Sequence, residues 1–403
     1  MAIFKTSNTI QKYAWGSALL IPEYLDFENP EKEPMAELWM GAHPKAPSNI
    51  ILSNGEKKRV DFYLNENPEK TLGAETVKKI GNNLPYLFKV LAADSPLSIQ
   101  AHPNLNQAAE GFKRENDEGV PLTAFNRNYK DSNHKPELIC ALSSFKAMRG
   151  FRSLSQIEED FSKIAIPELK NSIEELKNNN SAVLENFFRT LMNLKDEQRK
   201  NLIENALSLC ERDGFSGLQK EWMKRFSEIY PDDIGIISPL YLNIVTLNPG
   251  EAMYLSSGEL HAYLEGIGIE IMANSDNVLR GGLTPKYIDV KELLSVLNFH
   301  SVEPEILKPE AVNKYESVYK TEAKEFILSK IKLDKESYKL AESSNISKLP
   351  SMFICLEGEV ELNDMSEEGS VVTLKKGEAA FADFSANLYI EGAGLLYRAA
   401  VPV

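Results

Sequence analysis

The chain has 403 residues, 43% hydrophobic and 26% charged, with a formal net charge of −14. That length calls for more than one core in a globular protein, and the acidic balance argues against a polyanionic partner such as DNA or RNA. No apolar run reaches the length of about eighteen residues that a membrane span needs. The opening Met1-Ala2-Ile3-Phe4-Lys5 lacks the apolar stretch of a signal peptide, and the three scattered cysteines, Cys140, Cys210 and Cys355, fit a reducing cytoplasm rather than a disulfide framework or a Cys-type zinc knuckle.

Residues 1–150 read as strands and loops, with short apolar runs such as Leu84 to Leu91 broken by Pro, Asn, Asp and Gly. The period changes at Ser153, which stands three residues before Gln156 in the spacing of a capping box. Leu184, Phe187, Phe188 and Leu191 recur at helical spacing, as do Leu202, Ile203, Ala206, Leu207 and Cys210 before a stop at Gly214. Residues 151–235 are therefore expected to be helical, with an interruption at Asn178-Asn179-Asn180. Strand character resumes at Leu240 to Val245 and, apart from a short helix near 290–297, continues to the end. The whole reads as mainly β with a helical insertion, and the tail as a structural barrel of short strands with a turn at Lys375-Lys376-Gly377-Glu378.

Three segments carry the chemistry. In Leu97-Ser98-Ile99-Gln100-Ala101-His102, alternation sends Leu97, Ile99 and Ala101 to one face and Ser98, Gln100 and His102 to the other. In Asn133-His134-Lys135-Pro136-Glu137, the apolar run that follows carries the strand into the core, so Glu137 needs a buried partner, of which a metal is one. In Ser257 to Met272, Gly258 turns the chain, His261 begins a strand, and Glu270 faces away from Ile267, Ile269 and Ile271. Beyond lie Asp276 and Arg280, the latter followed by Gly281 and Gly282, which let backbone approach closely and free the guanidinium for a ligand. Two histidines and a carboxylate suit zinc or iron(II), and the residues alone do not choose between them.

The strings Tyr13-Ala14-Trp15-Gly16-Ser17, Ala36 to Gly41, Leu97 to Pro103, Asn133 to Glu137 and Arg280 to Lys286 together resemble those of type I mannose-6-phosphate isomerases, in the family's order. The resemblance implies a cupin-type β-barrel over 1–150 and 236–315, a helical domain over 151–235 and a second, C-terminal cupin-like barrel over 316–403. It implies one zinc ion per chain, held by Gln100, His102, Glu137 and His261, and Arg280 as a catalytic residue facing substrate. Ala101 stands where a valine is common in relatives.

The implied reaction interconverts mannose 6-phosphate and fructose 6-phosphate through an enediol-type intermediate, with a small sugar phosphate as the sole partner. For the proton-transfer group, Glu270 is the first candidate, with Lys135, His134 and Asp276 as rivals. Lys135, Lys286 and Arg280 would supply local positive charge for the phosphate. Trp15 and Ser98 are expected to line the pocket, Trp39 and Trp222 to be core, His43 and His300 to be structural, and the helical insertion to wall one side of the cavity. The alternatives are a non-catalytic sugar-phosphate-binding or regulatory cupin, or a cupin iron(II) oxygenase ligated by His102, Glu137 and His261.

Overall fold

The computed structural model describes residues 2–178, 180–212, 214–339, 349–366 and 369–402, so Asn179 of the expected helix interruption lies outside the described residues. Two sheets of ten strands each dominate it. The first runs Leu242–Leu247, Phe145–Phe151, His261–Ala273, Tyr86–Ala93, Glu37–Gly41, Thr9–Gln11, and also holds Glu137–Ala141, Ala252–Leu255, Ile99–Ala101 and Leu279–Gly282. Its spine is His261–Ala273, which pairs antiparallel with Phe145–Phe151 and Ile99–Ala101 through its first half, and with Tyr86–Ala93 and Glu137–Ala141 through its second.

The second sheet is built on Ile327–Lys339, Ser351–Asp364 and Leu388–Ala400. It also takes in Ile3–Ser7, which pairs with Ala379–Ala382, and behind it Asn49–Ile51 and Lys57–Arg59. Assigning 1–150 wholly to the first barrel is therefore incorrect: three early strands complete the C-terminal sheet. The reason is apolar matching, since Phe4, Ile50, Phe381, Met352 and Tyr397 share one buried cluster with Phe88, Val90, Ile267, Ile269 and Ile271 of the first sheet. That cluster glues the two sheets together, which leaves the opposite face of the first sheet free to line a cleft.

The helical insertion follows its signals. Ser153 and Gln156 form the reciprocal cap of Leu154–Ser162, and Leu184, Phe187, Phe188 and Leu191 are all buried on Ser181–Met192. Asp196–Glu211 ends as expected, with the Gly214 amide returning to the Leu209 carbonyl at 2.9 Å. The reading of 1–150 as strands and loops missed five helices, the longest being Leu105–Asp117. Its buried face holds only Ala108, Gly111 and Glu115, so it carries no apolar stripe, and its signature is the Asn104–Gln107 capping box.

Candidate active site

Strand register brings the distant segments together. Gln100 stands opposite His261 on one side and Arg280 on the other, and Glu137 stands opposite Met272. His102 follows immediately after Ile99–Ala101, at the same end of the sheet. His102 Nε2 lies 3.5 Å from Glu137 Oε1, and His261 Nε2 lies 3.4 Å from Glu137 Oε2. Ligand atoms of these three fully buried residues all fall within 4.8 Å of one another.

Each imidazole is oriented from behind. His102 Nδ1 is 2.7 Å from the Asn277 carbonyl and His261 Nδ1 is 2.9 Å from the Glu259 carbonyl. A carbonyl only accepts, so each Nδ1 carries the proton and each Nε2 lone pair is aimed at Glu137. Both Nε2 atoms and Glu137 Oε2 are buried without a hydrogen-bond partner. Orphaned acceptors in a dry pocket are costly, and a divalent cation would satisfy all three at once. Two imidazoles and a carboxylate are donors that zinc accepts, with a position left over for further ligands.

The electrostatics agree with that fit. Burial, then Lys135, lower His102 to about 4, leaving the ring neutral at pH 7 as a ligand must be. Burial alone would raise the Glu137 carboxyl, but Lys135 and the two imidazoles outweigh it and hold it well below the usual range. Lys135 Nζ sits 3.1 Å from Glu137 Oε1.

A cleft of two adjoining chambers opens in front of this group. The inner one, about 190 Å³, is lined by Gln100, Lys135, Glu137, Glu270, Lys89 and Glu37, among others. The outer one, about 460 Å³, is lined by Trp15, Ser98, Gln100, Arg280 and Lys286, with Lys130 and Tyr230. Asp276, Lys45, Leu97 and Tyr13 border both. Arg280 and Lys286 make no ion pair among the described residues. Burial lowers the pKa of each from its ordinary value, and Arg280 lowers that of Lys286 further.

The residues singled out in the sequence thus converge on one cleft, with some differences. His134 lies outside both chambers, its Nε2 2.7 Å from Glu325 Oε1. Asp276 is engaged by Lys45 at 2.8 Å. Leu97 borders the cleft instead of joining Ile99 and Ala101 in the core, because the strand begins only at Ile99. Trp222 and Trp39 are both core as expected; Trp39 and the buried His43, packed edge to face, also border the inner chamber. His300 is exposed. The helical insertion reaches the wall through Tyr230, whose hydroxyl donates to the Pro96 carbonyl at 2.9 Å.

Sequence reading missed the most charged feature of the inner chamber. Lys89 Nζ lies 2.6 Å from Glu270 Oε2 and 3.2 Å from Glu37 Oε1, all buried, and Trp39 Nε1 donates to Glu37 Oε2 at 2.6 Å. Burial would lower Lys89, but Glu270 and Glu37 overcome it and keep the ammonium charged. One ammonium cannot offset two carboxylates. Burial, with Glu137 and Glu37 nearby, leaves Glu270 raised despite the lysine. The available signal was Lys89 as the lone charge in Tyr86–Ala93, since lysine is seldom buried unless paired. Tyr263, also buried in this chamber, is raised well above its ordinary value by burial and then by Glu270.

The family model described as "Phosphomannose isomerase type I, catalytic domain" matches residues 3–154. The mannose-6-phosphate isomerase of Salmonella typhimurium is 40% identical over 379 residues, covering 94% of each chain. The chain belongs to the type I mannose-6-phosphate isomerase family. The Escherichia coli mannose-6-phosphate isomerase is 38% identical over 398 residues, covering 98% of each chain. A zinc-bound mannose 6-phosphate isomerase structure matches with a TM-score of 0.90 at 38% identity, covering 100% of both chains. That neighbour holds zinc, and the donors gathered by His102, Glu137 and His261 here suit zinc as well.

Proposed function

We propose that the protein interconverts mannose 6-phosphate and fructose 6-phosphate, moving one proton between adjacent carbons of the open-chain sugar. The observation that carries this reading is the cleft itself: orphaned imidazole nitrogens and a carboxylate oxygen at its inner end, and at its outer end Arg280 and Lys286, two cations with no ion pair among the described residues. That polarity matches a substrate with a carbonyl–hydroxyl pair at one end and a phosphate at the other.

His102, Glu137 and His261 would hold the zinc, with Gln100 as a further ligand, a role supported by its place between His261 and Arg280. Bound there, zinc supplies Lewis acidity towards the sugar oxygens without redox chemistry. With neutral His and Gln beside a single carboxylate, the protein's donors leave that acidity largely undiminished. Arg280 orients the sugar and stabilises negative charge developing on oxygen. Lys286 joins it in receiving the phosphate, and binding a dianion relieves the repulsion between the two cations.

Glu270 carries the proton between the carbons. A carboxyl raised towards the working pH is suited to general base work, and Lys89 fixes its direction. Lys135 balances Glu137, while Trp15 and Ser98 shape the outer wall. The enzyme acts in the cytoplasm on this small substrate alone, without a nucleic-acid, membrane or protein partner; no helix among the described residues is long and apolar enough to cross a membrane.

The test is a coupled assay on mannose 6-phosphate with metal analysis. Turnover should vanish with a chelator and return with zinc, at one zinc per chain. Full turnover in metal-free protein, or stoichiometric iron in its place, overturns the reading.

A further inference from the structure

We propose that Asn277, clamped by Asp131, is a positioning residue that sets where His102 stands relative to Glu137, and thereby how tightly the metal is held. This rests on the zinc reading above and adds a residue that touches neither metal nor substrate. His102 and Glu137 come from different segments, and His102 lies just past the end of its strand. The ring is aimed through a hydrogen bond from its Nδ1 to the Asn277 backbone carbonyl, at 2.7 Å. Where that carbonyl sits decides where Nε2 points.

The Asn277 side chain is wholly buried, and its amide is spent on the segment that leads into Glu137. Its Oδ1 accepts from the Lys130 amide at 2.6 Å and the Asp131 amide at 3.2 Å. Its Nδ2 donates to the carbonyls of Asp131 and Asn133, both at 2.9 Å. Every strong bonding position of the amide is filled. Asp131 closes the clamp from the other side. Its carboxylate accepts from the Ser275 hydroxyl at 2.9 Å, the Asp276 amide at 2.8 Å and the Asn133 amide at 2.9 Å. A further bond runs from the Asn277 amide to the Ser275 hydroxyl at 3.2 Å.

The result is one rigid unit joining residues 130–133 to 275–277. One end of it leads through Lys135 to Glu137. Another presents the carbonyl that orients His102. The same unit places Asp276 on the border of both chambers and Lys130 on the wall of the outer one. Side-chain substitution at 277 keeps the backbone carbonyl but releases the clamp that fixes its position. Any change in zinc binding then reports on where the carbonyl stands and not on its removal.

Partners behind metal-ligating histidines are typically worth about 10- to 100-fold in metal affinity. Asn277→Ala and the milder Asp131→Asn should therefore raise the zinc dissociation constant by about 10- to 100-fold in chelator competition. The visible absorption of the cobalt(II)-substituted protein should shift as the ligand geometry relaxes. Leu362→Ala, a core truncation in the second sheet, serves as the control for general destabilisation: it should lower the unfolding midpoint and leave zinc affinity unchanged. Native zinc affinity and an unshifted cobalt spectrum in folded Asn277→Ala overturn the proposal, as does equal weakening in Leu362→Ala. Should Asn277→Ala fail to fold, Asp131→Asn decides in the same way. Native protein that takes up no zinc overturns the metal reading instead, so the two failures are distinguishable.

Discussion

Replacing Lys89 with methionine removes the one cation between Glu37 and Glu270, which are 6% and 2% exposed. Two buried carboxylates then share the inner chamber without their counter-ion, and at least one is driven to take up a proton. For a carboxyl whose ordinary value is 4.5, neutralisation costs about 1.4 kcal/mol per pH unit above it, or about 3.4 kcal/mol at pH 7. That falls within the range of about 3–5 kcal/mol for breaking a buried ion pair by removing one partner.

The pH dependence has a definite direction. Burial already raises Glu270 in the native protein, and losing Lys89 raises it further. Between the unfolded and folded values, the folded chain binds more protons than the unfolded chain, so stability falls as pH rises through that window. The deficit of Lys89→Met relative to the native protein should open only once pH passes the value Glu270 holds in the native fold, itself above the ordinary 4.5, and from there it should grow by up to about 1.4 kcal/mol per pH unit. Urea unfolding of both metal-free proteins between about pH 5 and pH 8 measures it. Adding Glu270→Gln to Lys89→Met should recover much of the loss. A deficit that does not change with pH, or a variant as stable as the native protein at pH 8, refutes the reasoning.

Arg280→Ala should lower turnover by about 10²–10³-fold with zinc content unchanged; a variant that loses its zinc would show that Arg280 supports the metal and not the substrate. Glu325→Gln should cost about 1 kcal/mol in urea unfolding at neutral pH, by loss of the charge-assisted bond to His134. Burial would raise Glu325, but the His134 bond holds it below its ordinary value, so this contribution should fade as pH falls below about 4. Gly266→Ala should destabilise the protein by about 1–3 kcal/mol, since the residue sits at φ +120° and an added Cβ would lie 2.7 Å from the Ser144 carbonyl; an unchanged unfolding midpoint would count against it.

How much of this was legible depended on whether a residue's role is local. Helix caps and stripes are local, so Ser153, the Leu184–Leu191 face and the stop at Gly214 could all be read in advance. The polar company of His102, Glu137 and His261 was legible because each stands within or at the end of a strand whose other positions are apolar. The pairing of Ile3–Ser7 with Ala379–Ala382 was not legible, because nothing in a short apolar strand names its partner. Lys89 was overlooked because its partners, Glu37 and Glu270, lie 52 and 181 residues away, and a single lysine in an apolar run looks like an edge. The bonds from the Asn277 side chain to residues 130–133 were not legible, because they join two loops far apart in the sequence.

The spine strand shows why alternation alone misplaces part of the site. In a regular strand, side chains of equal parity share a face, so His261 and Tyr263 would point away from Glu270 and Met272. Yet Tyr263, Glu270 and Met272 all line the inner chamber, and His261 points its Nε2 at Glu137 in the wall of that chamber. The strand must therefore change parity between 263 and 270. It does so where the register against Phe145–Phe151 slips, between Tyr263 and Glu265, and where Gly266 adopts φ +120°. A single inserted residue turns every later side chain to the other face. Only glycine takes that conformation without strain, and only glycine fits against the Ser144 carbonyl. By this slip, one strand presents the imidazole and the carboxylate to the same chamber while Ile267, Ile269 and Ile271 stay in the core between the sheets.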